Sequence, residues 1–103
     1  MKLNTLERIN LMGILPTETN YVTYKIVTNL KGELSFSEEE IKEGEIRFEE
    51  NMVYFNPAKS KEKEIEIGEK ATDIIIEALQ NLDKENKINE GNISLYEKFI
   101  INK

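Results

Sequence analysis

The apolar residues of this 103-residue chain change their spacing twice, and this change constrains the fold more than any other feature. Towards both ends they recur every three or four residues, which is the period of an amphipathic helix. In the middle they alternate with polar residues, which is the period of a β-strand with one buried face. The pattern predicts an α+β domain, in which a small antiparallel β-sheet packs with N-terminal and C-terminal helices.

The first helix is predicted to begin near Asn4. Asn4 is followed three residues later by Glu7, which is typical of a helix start whose backbone N–H groups are capped by side chains. Gly13 and Pro16 favour an end to the helix. The apolar face of this helix is predicted to carry Leu3, Leu6, Ile9 and Met12.

Residues 20–34 are ambiguous between helix and strand. Their β-branched and aromatic content favours a strand. Val22, Ile26 and Leu30 instead recur every four residues, which favours a helix. We favour the helix, with an interruption at Gly32 left open.

The middle of the chain predicts a short helix and three strands. Ser37 precedes three consecutive glutamates, which suits an N-cap and the positive end of a helix dipole, and Gly44 keeps this helix short. Residues 45–49 and 52–55 alternate on either side of a turn and predict a hairpin. Residues 64–67 predict a third strand of the sheet, and two further helices follow. The expected order is αα(α)βββαα in a single domain, residues 1–103.

The residue types that the chain lacks restrict its chemistry. It contains no cysteine and no histidine, which excludes a disulfide framework, a thiolate nucleophile, an ordinary zinc site and an imidazole-based triad. The oxygen ligands available to a hard cation are Glu38, Glu39, Glu43 and Asn51. Their spacing matches no calcium-binding loop, and no phosphate-binding motif occurs. We therefore expect no metal site, no cofactor and no enzymatic activity.

Charge and hydropathy narrow the expected location and partners. The apolar runs are only a few residues long, whereas a membrane-spanning helix needs about 20 predominantly apolar residues. The N-terminus lacks the apolar segment of a signal peptide, so we expect a cytoplasmic protein. A net charge of −6 disfavours duplex DNA and an anionic membrane surface as direct partners. A homo-oligomer is compatible with the sequence.

The negative charge is concentrated in residues 37–50, which hold seven glutamates, one lysine and one arginine, a net charge of −5. One interpretation is a solvated edge whose charges discourage strands from pairing edge to edge. The other is a surface that attracts a basic protein. In the second interpretation, the partner-binding residues are Glu38, Glu39, Glu43, Glu45, Glu49 and Tyr54. Tyr54 is the tyrosine that we expect to be best exposed, because it points away from the face of Val53 and Phe55.

A binder or sponge of a small ligand, such as a nucleotide, is an alternative of a different class. Gly68 lies between a predicted strand and a predicted helix, where free backbone N–H groups can meet an anion. In this alternative the ligand-binding residues are Lys70, Thr72, Lys61 and Lys63. A tyrosine at a subunit boundary would complete the site.

Five segments of the chain resemble small proteins encoded by bacteriophages and prophages. They are LNTLERINL (residues 3–11), ILP (14–16), FSEEE (36–40), EIEIGEKATDII (64–75) and LYEKF (95–99). The resemblance covers most of the chain, and its motifs are structural rather than catalytic. It implies a small acidic protein that binds and inhibits a host component, such as a defence protein, or else serves as a phage accessory or structural protein.

Overall fold

The computed structural model describes residues 1–50 and 52–102, in which it places five α-helices. They are α1 (Thr5–Ile14), α2 (Tyr21–Leu34), α3 (Glu38–Glu43), α4 (Glu69–Lys84) and α5 (Ile93–Tyr96), which continues into a π-helical turn at Glu97–Ile101. The predicted α+β class, with helices towards both ends of the chain, is confirmed. No helix in the described ranges combines the length and the apolar character that are needed to cross a bilayer.

Side-chain caps begin α1 and α3 where the sequence predicts them, and a side-chain cap also begins α2. The Asn4 side chain accepts a hydrogen bond from the backbone N–H of Glu7, and the Glu7 carboxylate accepts one from the N–H of Asn4. Ser37 and Glu40 repeat this reciprocal arrangement at α3. Asn20 accepts from the third residue of α2. Each cap satisfies backbone donors that a helix start leaves without partners.

Residues 20–34 form a helix, which runs through Gly32 without interruption. Its buried side chains are Val27, Leu30 and Leu34, at spacings of three and four, while Val22 is exposed. The helical prediction is therefore right, although the face that packs against the core is rotated relative to the one predicted from Val22.

The main core lies between α1, α2, α4 and α5. Its buried residues are Leu3, Leu11, Leu15, Val27, Leu30, Leu34, Ile65, Ala71, Ile75, Leu79, Leu95 and Phe99. Leu6, expected on the apolar face of α1, is exposed. The buried residues of α1 are instead Thr5, Glu7, Arg8 and Leu11, which share one side of the helix because they are spaced by three and four. Leu15, which follows the last residue of α1 in an extended conformation, is also buried.

Four short strands form two separate antiparallel pairs: β1 (Lys2–Leu3) with β4 (Lys63–Glu64), and β2 (Arg47–Glu49) with β3 (Met52–Tyr54). The predicted hairpin is present as β2–β3. The third strand, predicted at residues 64–67, is reduced to β4 at Lys63–Glu64, and it pairs with the N-terminus instead of extending the hairpin. The reason is Ile65, which is buried in the helical core and whose backbone N–H donates to the carbonyl of Met1 at 2.9 Å.

The β2–β3 hairpin is joined to α3 through a tight corner. Gly44 ends α3, and a Cβ at this position would lie 3.3 Å from the Ile46 side chain and 3.1 Å from the carbonyl of Glu40. Ile46 is buried at this corner but lies outside the main core. The hairpin is thus attached to α3, and its strands extend from that corner with largely exposed side chains.

Candidate functional site

Arg8 is a buried cation in the middle of α1, with 2% of its surface exposed. Its Nε donates to the carbonyl of Leu34 at 3.1 Å, and its Nη2 donates to the carbonyl of Ser35 at 2.5 Å. Its Nη1 donates to Oε2 of Glu40 at 2.5 Å. A single guanidinium therefore satisfies carbonyls at the end of α2 and holds α3 through its carboxylate.

The surroundings of Arg8 stabilise its charge and that of Glu40. The guanidinium carbon lies 4.1 Å from the centre of the Phe36 ring, a cation–π contact. The hydrogen bond from Arg8 lowers the pKa of the Glu40 carboxyl to about 2, against a smaller opposing effect of burial. Because the contacts of Arg8 are to protein groups, its role is to position α3. The sequence signal for this role is the spacing of three residues between Arg8 and Leu11, which places a cation on the buried side of α1.

A cleft of about 340 Å³ opens between α3 and the loop of residues 59–63. Three lysines of this loop face glutamates of the acidic segment, with N–O distances from 3.5 to 3.7 Å. The pairs are Lys59 with Glu45, Lys61 with Glu43, and Lys63 with Glu40. Together with Arg8, four cations oppose the net charge of −5 in residues 37–50. The acidity that is concentrated in the sequence is therefore largely neutralised within the folded chain.

This internal pairing leaves Glu38 and Glu39 as the free carboxylates of α3. Both are exposed, and among residues 1–50 and 52–102 neither has a cationic nitrogen within 4.0 Å. Both lie about one helical turn before Lys42 and so are its neighbours on the surface of α3. The predicted residue Glu43, in contrast, is paired with Lys61.

Glu45 and Glu49 also have partners within the chain. Glu45 adopts a left-handed backbone conformation, with φ of 54°, and its Oε2 accepts a hydrogen bond from the Asn56 side chain at 2.6 Å. That hydrogen bond, with the charge of Lys59, holds the pKa of the Glu45 carboxyl below its ordinary value. Oε1 of Glu49 lies 3.7 Å from Nη1 of Arg47.

The β2–β3 hairpin exposes an unusual amount of apolar surface. Arg47 pairs with Tyr54, Phe48 with Val53, and Glu49 with Met52. The exposed fractions are 60% for Phe48, 57% for Met52 and 43% for Tyr54. Because side chains alternate between faces, Met52 and Tyr54 share one face and Phe48 lies on the other.

Tyr54 lies in a groove between the hairpin and α3. The groove is also lined by Ile41, Lys42 and Glu45, and the Arg47 guanidinium covers the Tyr54 ring at 5.4 Å. The expectation that Tyr54 is the best exposed tyrosine is wrong. Tyr21 and Tyr24 are more exposed, because they lie on the outer side of α2, where nothing in the described chain packs over them.

The residues of the small-ligand alternative do not share one site. Lys61 and Lys63 line the cleft beside α3, where both are paired with glutamates. Lys70 lines a separate depression between α2 and the start of α4. The Thr72 hydroxyl donates to the carbonyl of Gly68 at 2.9 Å, within the first turn of α4.

Residues 1–50 and 52–102 contain no group of three or more acidic side chains arranged to hold a metal ion. Asn51, which the sequence offered as a fourth oxygen ligand beside Glu38, Glu39 and Glu43, lies outside the described residues.

Comparisons with protein-family models, with curated proteins and with solved structures gave no significant match.

Proposed function

We propose that this chain is a non-enzymatic interaction protein that binds a host protein with a basic surface and inhibits it in the cytoplasm of the host. The observation that carries the proposal is Tyr54, which lies in a groove beside α3 and shares its face of the hairpin with the exposed Met52. The α3 carboxylates Glu38 and Glu39 are free of ion pairs within the described chain. The resemblance to phage proteins suggests the host context. A defence protein is one candidate partner within this class.

The proposed interaction surface has the composition of a protein-binding site. Interfaces bury apolar and aromatic side chains at the centre and surround them with polar groups. Here Met52 and Tyr54 would occupy the centre, and Glu38 and Glu39 would face lysines or arginines of the partner. Since Glu40, Glu43 and Glu45 are already paired with cations of this chain, the attraction depends mainly on the two free carboxylates.

The buried ionisable groups support a role without catalysis. Arg8 donates to backbone carbonyls and to Glu40. Glu7 accepts from Lys98 Nζ at 2.8 Å and from the backbone N–H of Asn4 at 2.9 Å. Each therefore has structural partners that account for its burial, and neither offers a free acid or base to a substrate.

The proposal is tested by capturing host proteins on the immobilised chain at low and at high salt. Wild-type protein is compared with the Glu38→Gln, Glu39→Gln double variant and with Tyr54→Ala. The matched control is the Glu69→Gln, Glu77→Gln double variant, which loses the same charge, including one first-turn carboxylate, from the exposed surface of α4. Circular dichroism verifies that each variant is folded.

A specific partner should be retained by wild type and the control at low salt, and lost at high salt. The double variant at Glu38 and Glu39 should retain at least about tenfold less, because two exposed charges opposite cations steer and hold the complex. Equal retention by all four proteins would contradict the proposal. A partner whose own activity is unchanged by binding would instead fit the accessory or structural role.

A further inference from the structure

At the outer edge of β2, the backbone groups of Phe48 have no partner elsewhere in the described chain, whereas the N–H of Ile46, two residues earlier, donates to the carbonyl of Ile41 at 2.9 Å. The N–H of Asn56 donates to the carbonyl of Gly44 at 3.1 Å, so this N–H points towards the β2 side of the hairpin. Backbone groups alternate between the two edges of a strand, so Val53 and its opposite residue Phe48 direct theirs outwards. No backbone hydrogen bond joins Phe48 to a segment outside the hairpin within residues 1–50 and 52–102.

We propose that a second copy of this chain binds at this edge, with the two β2 strands antiparallel and a two-fold axis beside Phe48. The N–H of each Phe48 then donates to the carbonyl of the other. The result is a continuous four-stranded sheet, in the order β3, β2, β2, β3. This assignment goes beyond the proposed host-protein surface, because it uses the strand edge rather than the groove beside α3.

Charge complementarity selects the second copy and its register. With the axis at Phe48, Arg47 of each copy lies opposite Glu49 of the other. A register centred on Arg47 would place two arginines opposite each other, and one centred on Glu49 would place two glutamates there. Both side chains are exposed, with relative accessibilities of 65% and 55%. Like charges in direct cross-strand contact are unfavourable, so only the Phe48-centred register satisfies both residues.

The side chains on the two faces fit this arrangement as well. On one face, the two Phe48 rings become neighbours, flanked by Val53 of each copy, which extends an apolar row across the dimer. On the other face, Glu49 of one copy approaches Arg47 of the second, whose guanidinium already covers Tyr54 at 5.4 Å. An isolated two-stranded hairpin is only marginally stable, so the added strands also stabilise the hairpin itself.

The first test exchanges the charges and measures mass by sedimentation and light scattering. Wild type should rise from 12.0 kDa towards twice that mass as its concentration increases, with a dissociation constant on the order of 100 µM because the interface is small. Arg47→Glu and Glu49→Arg should each weaken dimerisation about tenfold or more, since each places like charges opposite one another twice.

Two combinations distinguish this register from a general loss of folding. The double variant Arg47→Glu, Glu49→Arg restores opposite charges within its own dimer, so it should dimerise like wild type. An equimolar mixture of the two single variants should form a mixed dimer, because all the opposed charges then differ in sign. Wild type that remains monomeric at about 1 mM, or a dimer unaffected by the single variants, would overturn the proposal.

The second test uses the absence of native cysteine. Phe48→Cys places two thiols across the axis, where directly opposite Cα atoms in a hydrogen-bonded pair are about 5.5 Å apart, within the range of a disulfide. Mild oxidation should therefore link Phe48→Cys into a covalent dimer. Met52→Cys, which is exposed to a similar extent, lies on the outer strands about 16 Å from its copy, three strand spacings across and two residues along, and should not be linked. Equal linking of both variants would contradict the assigned edge.

These measurements are independent of the host-protein interaction. Glu49→Arg retains Glu38, Glu39 and Tyr54 together with the Arg47 guanidinium that covers the Tyr54 ring, so loss of dimerisation in this variant leaves those residues available to a partner. A chain that dimerises but captures nothing would retain the dimer and lose the proposed function. A monomer that captures a partner through Glu38 and Glu39 would do the reverse.

Discussion

Replacing Glu40 by glutamine should destabilise the protein strongly, because it removes the counter-charge of a buried arginine. The substitution preserves the shape of the side chain, and its amide oxygen can still accept one hydrogen bond. Arg8, however, stays buried with only carbonyl oxygens and the Phe36 ring as partners. Removal of one member of a buried pair leaves an uncompensated charge, which is costly.

The pKa of Glu40 provides the magnitude. Its carboxyl has a pKa of about 2 instead of the ordinary 4.5, and each unit corresponds to about 1.4 kcal/mol, so ionised Glu40 contributes about 3 kcal/mol to the free energy of unfolding. The side chain is 27% exposed, and some solvent screening makes this an upper value. Against a total of about 5–15 kcal/mol for a domain of this size, the loss is large.

The pH dependence has a defined sign. Because the folded pKa is lowered, the contribution of Glu40 is complete above about pH 4.5 and disappears as the pH falls through about 2. The difference between wild type and Glu40→Gln should therefore be about 3 kcal/mol near pH 7 and roughly half of that near pH 3. Urea unfolding followed by far-UV circular dichroism measures both values.

Glu43→Gln is the matched control. Glu43 is also a glutamate of α3 paired with a lysine of the loop, Lys61, but both side chains are exposed. A surface pair of this kind contributes less than about 1 kcal/mol. A Glu40→Gln effect as small as that of Glu43→Gln, or one that does not change between pH 7 and pH 3, would refute the structural role assigned to Arg8.

Two further substitutions test other parts of the chain. Glu7→Gln should lower the free energy of unfolding at neutral pH and have less effect in acid. Burial raises the pKa of the Glu7 carboxyl, but hydrogen bonds from Lys98, Asn4 and Ser94 outweigh burial, so the pKa in the folded state is lowered. The stabilising contribution of ionised Glu7 is therefore lost as the pH falls below the ordinary carboxyl range. Urea unfolding at both pH values measures it, and a larger effect in acid would contradict the Lys98 contact. Asn86→Ala should cost about 1 kcal/mol while Asn86→Gly should be nearly neutral, because Asn86, the residue after the C-cap of α4, has φ of 59°, a conformation that glycine adopts freely. Thermal unfolding compares the two, and equal costs would contradict the left-handed cap.

The helix starts, the helical spacing of residues 20–34 and the hairpin could be read from the sequence because each depends on neighbours in the chain. Asn4 with Glu7 and Ser37 with Glu40 act over three residues, and the cap of α2 spans the same distance. The hairpin strands alternate within a few residues of their turn. Such local preferences of the backbone and side chains act in the same way whatever the rest of the chain does.

The sequence identified the acidic residues of the candidate interaction surface, but it did not show which of them form ion pairs within the folded chain. Glu38 and Glu43 look alike in a run of acidic residues, yet Glu43 has a lysine 18 positions further along the chain as its partner. Which carboxylates stay free is decided only when the loop of residues 59–63 is brought against α3. The spacing of residues along the sequence does not predict such a contact between distant segments.

The sequence by itself determined the class of fold, the positions of the helices and hairpin, and the chemistry that lack of cysteine and histidine excludes. The tertiary structure alone decided that Arg8 is buried against carbonyls 26 and 27 residues away, and that β4 pairs with the N-terminus instead of the hairpin. The physical reason is the same in both cases. Burial of Arg8 and of Ile65 is favourable only where several distant segments converge to provide their partners, so the outcome depends on the packing of the whole chain.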